Sequence, residues 1–250
     1  MELRNPHSVL AALDVRPRAV RSVRVSPAHQ GTPWEEVVRE ARRHAVGVSV
    51  AVPEKHQRGR GRDTERTGAG SAEVEPPSPV PLNNLWKSLT DDSTTSPATD
   101  SFGIWLALDQ VQDPQNLGAV FRLAGFFGVR GIILTKDKSA PVSATVCDVA
   151  VGGTEYVPFA VVANLAHALQ QAQKAGVWIL GTCERAETNI RSVQADRHWM
   201  LVMGNEGDGM RRLTRETCDQ LVSLSPLGKV PSMNIATATA ACLTVLTTGT

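Results

Sequence analysis

The chain has 250 residues, 42% of them hydrophobic and 20% charged, with a formal net charge of +1 at pH 7. That length suffices for a sizeable core in one or two domains, and that charge excludes a chain basic from end to end. The cysteines Cys147, Cys183, Cys218 and Cys242 are dispersed without a CxxC pair, which excludes a disulfide framework and a zinc site and leaves reduced, buried thiols and no metal as the expectation.

Residues 5–13 (NPHSVLAAL) read as a short capped helix, and Ala19–Val25 as a strand with Val20, Val23 and Val25 apolar. Residues 33–44 (PWEEVVREARRH) read as a helix, with Thr32 as N-cap and Pro33 in the first turn. Val46–Val52 reads as another strand, so residues 1–53 form a small α/β unit. From 54 to 100 the sequence turns to Gly, Pro, Ser, Thr and charge. Such composition cannot bury enough surface to offset ordering entropy, and a flexible linker is expected. One island interrupts it: Leu82, Leu85, Trp86 and Leu89 repeat at helical spacing and are expected to dock on a domain.

Residues 101–250 alternate strand and helix. Strands are expected at Ile104–Asp109, Gly131–Leu134, Val177–Thr182, Trp199–Met203 and Leu221–Leu224. Helices are expected at 114–127, 143–149, 165–175, 212–218 and 234–247. This order predicts an α/β fold with a parallel sheet covered by helices, whose ligands sit beyond the carboxyl ends of the strands. Charge is uneven along the chain: residues 1–70 hold 13 Lys/Arg against 8 Asp/Glu, residues 71–100 hold 1 against 5, and residues 101–250 hold 12 of each. The N-terminal part is therefore the better candidate for touching a polyanion, although a solvated basic surface explains the same numbers. The opening MELRNPHSVLAAL lacks the features of a signal peptide, and no apolar run approaches the roughly 18 residues of a membrane span; a cytoplasmic location is expected.

Three loops after strands concentrate Gly, Asn, Arg and Glu. In DQVQDPQNLGAVFR (109–122), Asn116, Gly118 and Arg122 lie at or near a helix start. An arginine in so apolar a helix is either bound to a structural carboxylate or turned toward a ligand. In MGNEGDG (203–209), Gly204, Gly207 and Gly209 permit tight turns around Glu206, though a plain turn accounts for them equally. The string is not the G-x-G-x-x-G of a dinucleotide site. In SPLGKVPSMN (225–234), Pro226, Gly228 and Pro231 stiffen the loop, and Ser232 and Asn234 stand where N-caps would.

In this order and spacing, the loops resemble the three motifs of the SpoU (TrmH-like) branch of the SPOUT methyltransferases. Asn116, Gly118 and Arg122 match N-x-G-x-x-x-R, and residues 204–209 match G-x-E-G-x-G. Residues 226–236 match the third motif with Met233 for Leu, Ile235 for Val and Ala236 for Ser. Residues 209–224 (GMRRLTRETCDQLVSL) resemble the bacterial branch that methylates a guanosine of large-subunit ribosomal RNA, and NPHSVLAAL resembles the start of that branch's L30e-like RNA-binding domain. The resemblance implies a C-terminal trefoil knot, a rare exception to unknotted topology. It implies S-adenosylmethionine held by backbone groups at Gly204, Leu224, Met233 and Asn234, and a homodimer with the first-motif and C-terminal helices near its interface. It implies methyl transfer to a ribose 2′-hydroxyl of RNA, with Arg122, Asn116, Glu206, Ser232 and Asn234 as the catalytic set. A guanidinium stays protonated, so Arg122 is expected to orient phosphate and stabilise the developing alkoxide. The alternatives are a tRNA ribose methyltransferase, which shares all three motifs, and a catalytically weak ribosome-assembly factor, which the loss of the Ser hydroxyl at Ala236 would suit.

Overall fold

The computed structural model describes residues 1–50, 70–90, 102–205, 207–230 and 232–247. The expectations for 54–69 and 91–100, for Glu206 and for Pro231 lie outside the described residues.

The N-terminal unit contains β1 (Glu2–Leu3), α1 (Pro6–Val15), β2 (Val20–Val25), α2 (Pro33–Arg43), β3 (Gly47–Val50) and β4 (Gly70–Val74). Both helices begin as the sequence dictates. The Asn5 side chain accepts from the His7 amide and the Thr32 hydroxyl from the Trp34 amide, with proline in the first turn of each. Trp34, Val37, Val38 and Ala41 form the buried stripe of α2. The sheet order is β1-β4-β2-β3.

Strand β4 corrects the linker assigned to 54–100 and the unit boundary placed at 53. Its sequence, GSAEV, is mostly small and polar, but Ala72 and Val74 alternate onto the buried face and the strand pairs antiparallel with both β1 and β2. A partner on each side supplies what local propensity does not. Farther on, Leu82–Trp86 forms a 3-10 turn and Lys87–Thr90 a short α3. Leu85 and Trp86 are buried against the second sheet, so the island docks as expected.

The second unit contains β5 (Ile104–Leu108), α4 (Pro114–Phe126), β6 (Ile132–Thr135), α5 (Ala144–Ala150), α6 (Gly153–Tyr156), β7 (Phe159–Val162), α7 (Leu165–Lys174), β8 (Trp178–Thr182), β9 (Trp199–Met203), α8 (Arg212–Thr217), β10 (Gln220–Val222) and α9 (Ile235–Thr247). Its six strands are all parallel, in the order β10-β8-β9-β5-β6-β7. Side chains of β5 alternate between two cores: Ile104, Leu106 and Leu108 face the helices α4 and α9, while Trp105 and Ala107 face α7 and the 3-10 turn. The edge strand β7, only four residues long, and the short α6 went unread in the sequence.

The two units meet along α1, α5 and α6. Asp148 accepts from the backbone amides of Arg4 and Asn5, and Ser8 donates to the Cys147 carbonyl at 2.7 Å. Arg16 grips Glu155 with two hydrogen bonds, of 2.5 and 2.8 Å, and the Glu155 side chain is 3% exposed. At Gly152, whose φ is +96°, a Cβ would press on Ala11 at 2.8 Å. Cys147 itself belongs to the N-terminal core. No helix among the described residues is long and apolar enough to cross a membrane.

Candidate active site at the carboxyl edge of the parallel sheet

The carboxyl ends of β5, β9 and β10 deliver the three loops to one edge of the sheet. After β5 the chain passes a wholly buried Asp109 and turns at Gln110, whose φ is +64°. Asp113 then caps α4 by accepting from the Gln115 amide at 2.9 Å. Asn116 sits half-buried in the first turn, and Arg122 lies on the exposed side of the same helix. Among the described residues no carboxylate pairs with Arg122, so the structural ion pair weighed for it does not form. Gly118 has a packing reason: a Cβ there would meet the Val146 carbonyl at 2.8 Å, so its absence lets α4 lie close on α5.

After β9 the loop folds back on itself. Asn205 and Gly209 exchange two backbone hydrogen bonds, of 3.1 and 3.0 Å. Gly209 holds φ at +67°, and a Cβ on Gly204 would collide with the backbone of Gly209 and Met210. Close packing therefore requires glycine at 204, and the positive φ favours it at 209. The Asn205 side chain donates to the Gln110 carbonyl at 2.8 Å and ties the second loop to the first. Farther along, Arg211 donates to Asp109 from its backbone amide at 3.0 Å and from Nε at 2.8 Å.

The third loop leaves β10 through Leu224, half-buried against the α4 core, and ends at α9. Asn234 works in two directions. Its Oδ1 accepts from the amides of Ala236, at 2.9 Å, and Thr237, at 3.4 Å, which caps α9. Its Nδ2 donates to Asn116 Oδ1 at 2.7 Å. Asn234 is thus both the cap of α9 and a link to the first loop. Ser232 caps nothing among the described residues and is exposed. Leu227, Val230 and Met233 are all exposed apolar side chains. Among the described residues, the main chain of 226–230 makes no hydrogen bond to another backbone group. Ala236 packs on the core while Thr237 points to solvent, so Thr237 does not replace the missing hydroxyl.

Of the residues singled out in the sequence, Asn116 and Asn234 are brought into contact, Gly204 and Leu224 begin their loops at the same edge, Ser232 and Met233 are exposed in the third loop, and Arg122 is exposed farther along α4. The Asp109–Arg211 and Asn205–Gln110 links were missed, because partners about a hundred residues apart leave no periodic signal; the one hint was an aspartate directly after an apolar strand. Three of the four cysteines offer no nucleophile: burial pushes Cys147 up to about 11 and Cys218 and Cys242 up to about 12. No His, Cys, Asp and Glu cluster among the described residues is arranged to hold a metal.

Residues 103–244 match the model of the SpoU rRNA methylase family. The chain is 49% identical over 138 residues to the 23S rRNA (guanosine-2′-O-)-methyltransferase RlmB of Vibrio vulnificus, a match covering 55% of this chain and 56% of that protein. To the RlmB of Pseudomonas aeruginosa it is 37% identical over 237 residues, covering 95% of this chain and 92% of that protein. Among solved structures it resembles the SpoU methyltransferase AviRb from Streptomyces viridochromogenes in complex with the cofactor AdoMet. That likeness has a TM-score of 0.75 at 18% identity and covers 99% of this chain and 89% of that one.

Proposed function

We propose that this chain, which belongs to the SpoU rRNA methylase family, transfers a methyl group from S-adenosylmethionine to a ribose 2′-hydroxyl of RNA, at a guanosine of large-subunit ribosomal RNA. The observation that carries the reading is the Asn116–Asn234 hydrogen bond, which joins the first and third motif loops at the edge where the second folds back. The relatives' names, each a 23S rRNA guanosine methyltransferase, favour ribosomal over transfer RNA.

The residues present fit the cofactor. The second loop folds back tightly at Gly204 and Gly209, the main chain of 226–230 makes no backbone hydrogen bond among the described residues, and Leu227, Val230 and Met233 offer an apolar cover. When bound, S-adenosylmethionine supplies an electrophilic methyl carbon. Gly204, Leu224, Met233 and Asn234 would hold it through backbone groups, and Glu206 and Ser232 complete the set that the family motifs imply. Arg122 is a permanent cation on the exposed side of α4, and it orients the RNA phosphate and stabilises negative charge as it develops on the attacking ribose oxygen. The hydroxyl proton leaves to the phosphate or to water. Asn116 and Asn234 fix the first and third loops relative to each other, which would hold the groups they present in a set geometry.

The same reading includes a trefoil knot formed by the chain around the third loop, and a homodimer that covers α4 and α9. It includes an N-terminal L30e-like unit that holds RNA, and action in the cytoplasm. The clamp of Arg16 on Glu155 and of Asp148 on the α1 start supports an RNA-holding unit set at a fixed distance from the site. Arg18, Arg24 and Arg42, which have no ion pair among the described residues, are its contacts for phosphate. Deleting the gene and mapping ribose methylation across ribosomal and transfer RNA tests the function. Loss of one 2′-O-methylguanosine from large-subunit RNA is expected; an unchanged map overturns it.

A further inference from the structure

The arginines that follow the second loop take no part in the transfer described above. Arg211 is the unusual one. Its carboxylate partner, Asp109, is completely buried, and takes both the backbone amide and Nε of Arg211. A buried carboxylate is costly to leave without a partner, and the two hydrogen bonds fix the inner edge of the guanidinium. The Arg211 side chain is nevertheless 41% exposed. Among the described residues its outer nitrogens have no acceptor. A guanidinium held along one edge presents the other as a planar fork, the geometry that suits a phosphate, with its rotamer entropy already lost on folding.

That fork lines an open groove of about 430 Å³ between the starts of α7 and α8, with Ala163, Asn164, Arg212 and Leu213 as neighbours. The only acid close by on α8, Glu216, is already bonded to Arg212 at 2.9 and 3.1 Å. The groove opens at the carboxyl ends of β7 and β9, the same edge as the three loops, but on the α7 face of the sheet, opposite α4 and Arg122.

We propose that this groove is a second RNA-backbone site: Arg211, aimed by Asp109, takes a phosphate of the substrate on the α7 side while the reacting nucleotide lies on the α4 side. This rests on the RNA reading above and adds where the flanking strand runs. Arg211→Ala strands the buried Asp109 and risks unfolding, so the neutral pair Asp109→Asn/Arg211→Gln is measured beside it.

The experiment is the salt dependence of binding between the full chain, without cofactor, and large-subunit ribosomal RNA purified from a strain lacking the gene. Loss of one phosphate contact is expected to lower the slope of log affinity against log salt by about 0.7–0.9 in both variants. The KM for RNA is expected to rise about tenfold. Affinity for S-adenosylhomocysteine is expected to stay within twofold. An unchanged slope in the double variant overturns the proposal, as does a loss confined to S-adenosylhomocysteine, which would make the pair a prop for the cofactor loop. RNA bound but never methylated by the native chain overturns the functional reading, while the slope still decides for or against the groove; a native chain that binds no RNA overturns both.

Discussion

The two edges of the parallel sheet are built from different materials. At the amino edge, polar groups among the described residues find partners within the chain. The Trp105 indole donates to the Leu85 carbonyl at 2.8 Å, His198 accepts from the Gly103 amide at 2.8 Å, and Arg197 lies 4.5 Å above the Trp178 ring. At the carboxyl edge the chain instead bends at Gln110 and Gly209, turns the outer edge of Arg211 outward and, among the described residues, leaves the main chain of 226–230 without backbone partners. An edge that satisfies itself supports the fold, and an edge that leaves donors and acceptors open is prepared for ligands.

Three variants sharpen that contrast. Trp105 is wholly buried under aromatic and cationic neighbours. Trp105→Ala is expected to cost about 3–5 kcal/mol in urea unfolding while the folded fraction keeps its affinity for S-adenosylhomocysteine. A large loss of that affinity would mean the two edges are not separable. Asn234→Asp is the reverse case. Aspartate caps a helix as well as asparagine does, but cannot donate to Asn116. Stability is expected to hold within about 0.5 kcal/mol while turnover falls about tenfold; Asn234→Ala is expected to lose both, with about 1 kcal/mol of cap energy. Equal turnover for the two forms would remove the Asn116 link from the mechanism.

The smallest effect concerns acidity. Burial first, and Arg130 second, push the pKa of His198 below its ordinary value of 6.5. A histidine depressed on folding must be charged at the folded state's expense. Its contribution to stability is present above pH 6.5 and is lost as the pH falls toward the lowered value. Chemical denaturation between pH 7.5 and 5 is expected to weaken the native chain slightly more than His198→Gln; parallel profiles would contradict this.

The same contrast explains what the sequence revealed. Strands buried on both faces, such as residues 104–108 and 199–203, are continuous apolar runs, and their limits are readable to within a residue. Strand β4 looked like linker because only Ala72 and Val74 carry its apolar face, and its register depends on β1 and β2, one on either side. At the site, the resemblance to the three family motifs pointed to Asn116, Arg122 and Asn234, and of these Asn116 and Asn234 also stand at helix starts with their own residue preferences. It did not reveal that Asn234 reaches Asn116, nor that Asp109 aims Arg211, because such pairings exist only once the strands lie side by side. Part of the N-terminal basic excess serves the fold itself. Arg16, Arg21, Arg39 and Arg43 are all engaged by carboxylates, Arg16 by Glu155 of the other unit.

The central claim is that the three loops form one methyl-transfer site organised by Arg122. The most direct test is single-turnover methylation of unmodified large-subunit ribosomal RNA by the native chain and by Arg122→Lys. Lysine keeps the charge but not the planar fork. The expected result is one 2′-O-methylated guanosine with the native chain, and a rate at least about 100-fold lower for the variant with S-adenosylhomocysteine still bound. Near-native turnover by Arg122→Lys, or no ribose methylation by the native chain, would contradict it.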